Sequence, residues 1–295
     1  MRVGSELLQL AHSVGTRTIF VVGTGKDVGK TTALRAIYGA ACKVFTTVGV
    51  ASIGREGGAT RDDAPAKPRL WLNSATMFVT ARSLLPLSPA CEIVSMSRLR
   101  SPAGALLYAR VASSAYYELV GPPTASGMHE IVEALCGRND AVVIDGAVDR
   151  VAALAGSSGA IVVACGAAAA ATMQEAVEDV AALVERLRTP CFDSKAPAIH
   201  LEGALTAAEA ASFMTAREER QIVVRDPTQI ALNGRAASQA FARLRIRCRR
   251  PLRVVAATIA SIGPQRSFEP QAFAQAVAAA TGLPTFDVYA GARAA

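Results

Sequence analysis

The sequence Thr18-Ile-Phe-Val-Val-Gly23-Thr-Gly-Lys-Asp-Val-Gly29-Lys30-Thr31-Thr32 decides the predicted fold. It begins with an apolar, β-branched run, passes through two glycines and meets Gly-Lys-Thr-Thr, which opens a helix-compatible segment at 33–41. A strand, a glycine-rich turn and a helix, in this order, form the context that a phosphate-binding loop requires. The stretch therefore predicts a strand, a phosphate-binding loop and a helix.

The residue types of this loop suit phosphate and magnesium chemistry. Glycines let backbone N–H groups converge on phosphate oxygens, and the N-terminus of the next helix adds about half a positive charge. Lys30 would reach the β- and γ-phosphates, and the Thr31 hydroxyl would bind Mg²⁺. The alternative is a glycine-rich turn without a ligand. The predicted nucleotide contacts are Gly23, Thr24, Gly25, Lys26, Asp27, Val28, Gly29, Lys30, Thr31 and Thr32.

The glycine spacing of the loop differs from the general pattern. That pattern places a glycine five residues before Gly29, where this chain has Thr24. In this respect the loop resembles Gly-Thr-Asp-Thr-x-Val-Gly-Lys-Thr, the loop of dethiobiotin synthetase and its relatives among P-loop NTPases. Gly25 and Lys26 replace the Asp and Thr of that pattern, and the following positions match. The resemblance implies a P-loop fold that binds ATP and Mg²⁺.

Composition favours a folded α/β protein with an anionic ligand or partner. The chain has 295 residues, of which 51% are hydrophobic and only 5% aromatic, so it can bury a large core that is poor in rings. Its net charge of +7 comes from 31 basic and 24 acidic residues. This excess is modest, and the sequence contains no basic and aromatic module of a nucleic-acid-binding kind. We therefore predict no nucleic-acid partner.

Cysteine, histidine and hydropathy patterns indicate a cytoplasmic protein. The six cysteines are scattered singly, which favours buried, reduced thiols over disulfides or zinc. The three histidines are far apart, so a histidine metal cluster is not expected. The N-terminus lacks the apolar core of a signal peptide. Residues 151–174 carry no charge, but Gly156-Ser-Ser-Gly159 interrupts them, so they indicate a buried strand and a helix and not a membrane span.

Apolar strands alternate with helices along the whole chain. This alternation predicts an α/β fold with a mostly parallel sheet and helices on both faces. A boundary near Asp193 to Pro197 divides the chain into a P-loop domain (1–195) and a smaller C-terminal α/β domain (196–295). Alternatively, the later strands extend the first sheet. The predicted helices are 1–13, 33–41, 74–84, 127–136, 172–187, 206–217, 235–244 and 270–281, and the predicted strands are 18–23, 46–53, 69–72, 116–120, 141–145, 160–165, 198–201, 221–224, 252–258 and 285–288.

Asp145 is the second main element of the predicted site. The apolar run Ala141-Val-Val-Ile ends in Asp145-Gly146, and an acid at the tip of a buried strand can bind Mg²⁺, directly or through water, opposite Thr31. The alternative role is to cap the next turn. In the dethiobiotin-synthetase group a carboxylate followed by glycine occupies the matching strand end. Lys30 and Asp145 are therefore the predicted catalytic residues, and Thr31, Asp145 and Asp62 the predicted metal ligands.

Further charged residues follow the second strand and Asp145. Asp62 and Asp63 lie where relatives place a second Mg²⁺-associated acid, and the alternative is a solvated loop. Arg55 follows the tip of the second strand, at the edge where α/β sheets bind ligands, as an anion contact or a structural ion pair. Asp149 and Arg150 either line the same cleft or pair at the surface.

Short motifs over most of the chain resemble the accessory P-loop proteins associated with lysine 5,6-aminomutase, a B12-dependent enzyme. The resemblance implies an ATPase that acts on a protein partner, namely the aminomutase or its second accessory protein, and that uses ATP to expel damaged cofactor. The alternatives are an ATP-dependent ligase of the dethiobiotin-synthetase type, which phosphorylates a small carboxylate or carbamate, and a binding module without hydrolysis. A homodimer also stays open. The motifs are Ser52-Ile-Gly-Arg-Glu-Gly57, Lys67-Pro-Arg69, Glu118-Leu-Val-Gly-Pro122, Ile144-Asp-Gly-Ala147 with Arg150, and Phe286-Asp-Val288.

A basic stretch lies outside these motifs, between Arg243 and Arg253. In residues 243–249, arginines alternate with Leu244, Ile246 and Cys248, which predicts a strand with one basic face. Two interpretations stay open for it. One is a surface for an acidic partner, and the other is a solvated edge strand that its charge protects from aggregation.

Overall fold

The computed structural model describes four stretches of the chain, residues 2–53, 69–85, 90–146 and 159–289. The predicted α/β class with mostly parallel strands is confirmed. The chain divides into two compact units: the first consists of Met1–Val22 and Lys30–Ala153, and the second of Gly23–Gly29 and Leu154–Ala295. No helix within the described stretches is both long enough and apolar enough to cross a bilayer.

The described residues form seven α-helices and sixteen β-strands. The helices are α1 (Arg2–Ser13), α2 (Lys30–Val44), α3 (Ala125–Cys136), α4 (Met173–Leu187), α5 (Ala207–Thr215), α6 (Gly234–Arg243) and α7 (Pro270–Thr281). Eight strands precede residue 147: β1 (Thr18–Gly23), β2 (Val48–Ser52), β3 (Leu70–Leu72), β4 (Met77–Ala81), β5 (Cys91–Ser101), β6 (Gly104–Val111), β7 (Ala115–Tyr117) and β8 (Ala141–Asp145). Eight follow residue 158: β9 (Ala160–Gly166), β10 (Ala198–His200), β11 (Leu205–Thr206), β12 (Gln221–Val224), β13 (Ile230–Ala231), β14 (Arg245–Cys248), β15 (Arg253–Ala260) and β16 (Thr285–Asp287).

The first unit is built on a parallel sheet with an antiparallel extension. Strands β1, β8, β2 and β4 are neighbours in this order and run parallel, and β6 and β5 continue the sheet antiparallel. The side chains of 19–22 and 141–144 are all buried, as expected for central parallel strands covered on both faces. Because β8 lies between β1 and β2, Asp145 is paired with Val21 on one side and with Ser52 on the other.

Helices α1 and α2 pack closely in the first unit, and the backbone of α1 approaches that of α2 closely at Gly4. A Cβ atom at Gly4 would lie only 2.0 Å from the carbonyl oxygen of Ala36 in α2. By contrast, a Cβ atom at Gly39 of α2 would meet nothing within 4 Å. Glycine at position 4 is therefore required by helix packing, whereas glycine at position 39 is not.

Asp140 and Thr47 connect the starts of β8 and β2. The Asp140 carboxylate accepts hydrogen bonds from the backbone N–H of Thr47 (3.0 Å) and from its hydroxyl (2.9 Å). The backbone N–H of Asp140 in turn lies 3.0 Å from the Thr47 hydroxyl oxygen. The two bonds from Thr47 hold the pKa of Asp140 below its ordinary value of 3.8. These contacts fix the two strands in register where they enter the sheet.

Strands β3 and β7 form a separate antiparallel ribbon that exposes two aromatic rings. Trp71 and Tyr116 are cross-strand partners, and their rings meet edge to face with centroids 5.0 Å apart. The two residues are 46% and 58% exposed, respectively, while Leu70 and Tyr117 on the other face are buried. The ribbon therefore has one face in the core and one aromatic face in solvent.

The second unit contains two separate sets of parallel strands. Strands β9, β15 and β16 are parallel neighbours, and β10, β12 and β14 form a three-stranded parallel sheet of their own. This smaller sheet has its own core, which includes Leu205, Ile222, Ile230 and Ile246. The predicted domain 196–295 thus contains both a sheet of its own and two strands that extend from β9.

Some predicted elements are wrong, and some observed elements were not predicted. The helix predicted at 74–84 is instead β4 followed by a single 3₁₀ turn at Arg82–Leu84. All five side chains of β4 are buried, and the strand pairs with β2 and β6, so tertiary pairing overrides a run that local sequence fits to a helix. The hairpin of β5 and β6 was not predicted at all. Conversely, the strand predicted within 243–249 is confirmed as β14, at the edge of its sheet.

The cysteines are free but only partly buried. Cys165 and Cys248 are buried, and burial raises the pKa of each thiol to about 12. Cys136 and Cys191 are exposed, and Cys42 and Cys91 are half-buried. The prediction that most of the thiols are buried is therefore wrong.

Candidate functional site

The glycine-rich loop joins the buried end of β1 to the start of α2. Lys26 and Asp27 are exposed, whereas Val28 is buried and anchors the loop. The backbone N–H of Thr24 donates to the carbonyl oxygen of Ala164 in β9 (2.9 Å). Asp27 adopts a φ of +56°, in the left-handed region. The loop is therefore held at both ends while its middle residues face solvent.

The glycines of the loop are explained in part by packing inside the second unit. A Cβ atom at Gly25 would lie 2.5 Å from the Cβ atom of Ala169. Gly29 has a φ of +84°, and a Cβ atom there would lie 3.0 Å from Ala260 Cβ and 3.1 Å from a methyl group of Val288. A side chain at either position would displace the loop from the ends of β9 and β15. The fold itself thus requires these glycines, whether or not a phosphate binds.

The first turn of α2 presents groups that suit an anion. It begins with Lys30, Thr31 and Thr32, which are half-buried, and it contains no acidic side chain. The first N–H groups of a helix lack intrahelical acceptors and carry the positive end of its dipole. An ammonium, two hydroxyls and these N–H groups therefore lie in one helical turn where the loop ends.

Asp145 lies at the carboxyl end of β8, the strand next to β1. Its carbonyl oxygen accepts from the N–H of Ile53 (2.8 Å), and the N–H of Gly146 donates to the carbonyl of Val21 (2.7 Å). A Cβ atom at Gly146 would lie 2.6 Å from that same carbonyl oxygen, so glycine is required after the acid. The Asp145 side chain is half-buried. The neighbouring strand ends bring Asp145 to the edge of the sheet at which β1 enters the loop.

Five predicted site residues lie outside the described stretches, namely Arg55, Asp62, Asp63, Asp149 and Arg150. Within the stretches that the structure describes, no group of three or more His, Cys, Asp or Glu side chains could hold a metal ion. The described candidates for a metal are therefore the oxygens of Thr31 and Asp145. Hard oxygen donors of this type suit Mg²⁺, which keeps most of its shell as water and phosphate.

A cavity of about 460 Å³ lies beside the loop, in the second unit. It is lined by Asp27, by the alanine-rich segment 167–171 that follows β9, and by Pro264, Gln265 and Arg266 after β15. The Arg266 guanidinium donates to the carbonyl oxygen of Ala170 (2.7 Å) and thereby connects the two walls. This volume is in the range of small-molecule sites. Sequence reasoning named Asp27 but gave no site role to the other lining residues, because alanine and an isolated Arg carry no motif.

Polar groups also cluster at the ends of β15 and β16. The buried Ser261 donates its hydroxyl proton to the Asp287 carboxylate (2.6 Å), which also accepts from the N–H of Tyr289 (2.7 Å). The hydroxyl oxygen of Thr258 on β15 is buried and has no hydrogen-bond partner among the described residues. These contacts fix the strand ends against which Gly29 packs. In the sequence, Asp287 was noted only as part of the motif Phe286-Asp-Val288.

Comparisons with protein-family models, with curated proteins and with solved structures find no match. The chemistry of the site therefore rests on the residues of this chain and on their positions. In the first unit, α2 begins at Lys30 and strand β8, next to β1, ends in Asp145. In the second unit, a cavity opens beside Asp27.

Proposed function

We propose that this protein is a magnesium-dependent P-loop ATPase that acts on a protein partner. One observation carries the proposal: the loop of Gly23–Gly29 leaves the carboxyl end of buried β1 and enters α2 at Lys30, while the adjacent strand β8 ends in Asp145. Phosphate at a helix N-terminus and an acid at a neighbouring strand tip are the two parts that phosphoryl-transfer sites of this kind combine.

Each residue has a distinct role in this proposal. Lys30 binds the β- and γ-phosphates as a point charge, and the first N–H groups of α2 bind their oxygens. Thr31 and Asp145 would hold Mg²⁺ through their side-chain oxygens, and Asp145 would also orient the attacking water. Mg²⁺, when bound, neutralises the charge that develops on the phosphates. The residues fit these groups, because the first turn of α2 combines a cation and hydroxyls with no acidic side chain.

The cavity beside the loop is the proposed site for the base and ribose. It includes Asp27, so it continues directly from the phosphate-binding loop. Its volume of about 460 Å³ suits a nucleoside. Gln265 and Arg266 supply polar groups at its wall, and the small side chains of the alanines of 167–171 leave room for a ligand.

The protein partner is proposed from the resemblance to the accessory proteins of lysine 5,6-aminomutase. Ser52 and Ile53, at the end of β2, stand where dethiobiotin synthetase has a Lys-Pro pair for its substrate carbamate. The nucleotide-binding residues are thus present, whereas this substrate contact is not. ATP turnover would then serve a conformational change in the partner, here a B12-dependent aminomutase or its second accessory protein.

The test is ATP hydrolysis by the purified chain, measured alone, with small carboxylates, and with a B12-dependent aminomutase. We expect phosphate release that the aminomutase stimulates and that requires Mg²⁺. Lys30→Ala should weaken ATP binding by at least about 100-fold, because a charged phosphate contact is lost, and Asp145→Ala should mainly remove Mg²⁺-dependent turnover. Lys43→Ala, at the other end of α2, is the matched control and should retain both properties.

Other outcomes would contradict the proposal in distinct ways. Phosphate release that depends on a small carboxylate, with no protein present, would indicate a ligase. Tight ATP binding without release, alone or with the partner, would indicate a binding module. Unchanged hydrolysis in Asp145→Ala would show that the metal lies elsewhere.

A further inference from the structure

Five exposed arginines gather around the three-stranded sheet of the second unit. We call them the arginine surface, and they are Arg225, Arg243, Arg245, Arg249 and Arg250. Arg245 lies on edge strand β14, with Arg243 before it and Arg249 and Arg250 after it. Backbone pairing adds Arg225, because the N–H of Arg250 donates to the carbonyl oxygen of Arg225 (2.9 Å). The fold thus places Arg225 and Arg250 side by side along the backbone at two neighbouring strand ends.

The positive charge of this surface is hardly compensated within the described part of the chain. The segment 243–253 contains six arginines and no acidic residue. Of the arginine surface, only Arg225 forms an ion pair there, with Asp226 (3.0 Å). Asp226 is fully buried and also accepts from the N–H of Thr228, so it already serves as a local cap. Arginine side chains that share one surface repel each other, and an anionic partner would relieve that repulsion.

The strand that carries the surface is fixed in one orientation. Ile246 and Cys248 are fully buried in the core of the small sheet, so Arg245 must point away from it. A slip of one residue would bury a guanidinium and expose Ile246. Arg245 is therefore displayed by a strand whose orientation is fixed.

Some backbone groups on the outer edge of β14 already form hydrogen bonds within the protein. A partner strand therefore cannot pair along this whole edge. The Arg247 guanidinium donates to the carbonyl oxygen of Ile246 (2.8 Å). At Cys248, the N–H donates to Pro190 (2.9 Å) and the carbonyl accepts from Phe192 (3.0 Å). A partner would consequently meet the arginine side chains and not the backbone groups of the strand.

We propose that the arginine surface binds an acidic segment of a partner protein, rich in Asp and Glu. Guanidinium groups bind carboxylates through paired, charge-assisted hydrogen bonds. Single-stranded nucleic acid is disfavoured, since its binding sites combine basic groups with exposed aromatic rings, and none of the described Phe and Tyr residues of the second unit is exposed. The inference does not depend on nucleotide binding and goes beyond the proposed ATPase activity.

The experiment measures binding of a labelled peptide of alternating Glu and Ser at low and high salt. The wild-type chain should bind it at low salt, and salt should weaken the complex. The double variant R249E/R250E should bind at least about tenfold more weakly, because attraction becomes repulsion. The matched control is R98E/R100E, which reverses two exposed arginines on β5 of the first unit and should bind as wild type does.

Three results would overturn the inference. They are no peptide binding by the wild-type chain, equal weakening in the control variant, and binding of a single-stranded oligonucleotide as tight as that of the peptide. Circular dichroism melting checks that each variant is folded. The milder variant R249Q/R250Q, which removes charge without adding any, should bind with intermediate affinity if the contact is electrostatic.

Discussion

Gly29 meets a packing requirement of the fold and also suits the proposed phosphate ligand. Its φ of +84° and its contacts with Ala260 and Val288 exclude a side chain, and the same conformation lets the backbone turn into α2. The sequence motif explained this glycine by phosphate binding alone. The packing partners could not be predicted, because they lie far along the chain and are small, apolar residues without a pattern.

The Asp140–Thr47 contact predicts how stability depends on pH. Because the pKa of folded Asp140 is below 3.8, its contribution is fully present above the unfolded pKa and is lost as the pH falls through the folded pKa. Asp140→Ala should therefore lower the thermal midpoint at neutral pH, and the difference from wild type should shrink at a pH well below 3.8. Differential scanning fluorimetry over this pH range measures both quantities.

Thr47→Ala serves as the partner variant for this prediction. It removes the hydroxyl that donates to the Asp140 carboxylate and accepts from the Asp140 N–H. The double variant of Asp140→Ala and Thr47→Ala should therefore be little less stable than either single variant. If Asp140→Ala lost as much stability well below pH 3.8 as at neutral pH, the role assigned to the ionised carboxylate would be contradicted.

At the scale of elements, prediction succeeded where a local signal agreed with the tertiary structure. Strand β1 has the predicted bounds, and α4 begins one residue after the predicted start, at a capping box of Thr172 and Glu175. The failures have the opposite cause. The run that forms β4 is apolar on both faces, so its sequence fits a buried helix as well as a strand, and only its pairing with β2 and β6 decides.

Gly4 provides a test of the contact between α1 and α2. Gly4→Ala should lower the free energy of unfolding by about 1–3 kcal/mol, since its methyl group would overlap the carbonyl oxygen of Ala36. Gly39→Ala, in the same helix pair but in open space, should instead stabilise it by about 0.5–1 kcal/mol through helix propensity. Chemical denaturation of the two variants and wild type gives both values. Similar signs for the two changes would contradict the packing described for α1.

At the scale of the whole molecule, the order of the strands is the feature that local sequence could not supply. Alternating strands and helices predicted the α/β class, but not that β8 would lie between β1 and β2, or that β15 would pair with β9. The first of these pairings is what brings Asp145 next to the strand of the loop. The sequence could thus name Asp145 as a candidate, but not the strand pairing that places it beside β1.

Nucleotide binding should stabilise the folded molecule as a whole. At a free Mg²⁺·ATP concentration of about one hundred times Kd, the gain is about 2.7 kcal/mol, or roughly 5 °C in Tm. The same addition should leave the Tm of Lys30→Ala unchanged, and chelation of Mg²⁺ should reduce the gain for wild type. An equal rise in wild type and variant would show that ATP binds away from the loop.

The chain has a single tryptophan, Trp71, and it lies in the solvent-facing layer of the β3–β7 ribbon beside Tyr116. Its intrinsic emission is consequently a local probe, which senses whatever touches or quenches that one ring. Spectral changes on adding a second macromolecule would map contact to the ribbon. Constant emission during a titration would say nothing about occupancy of the loop.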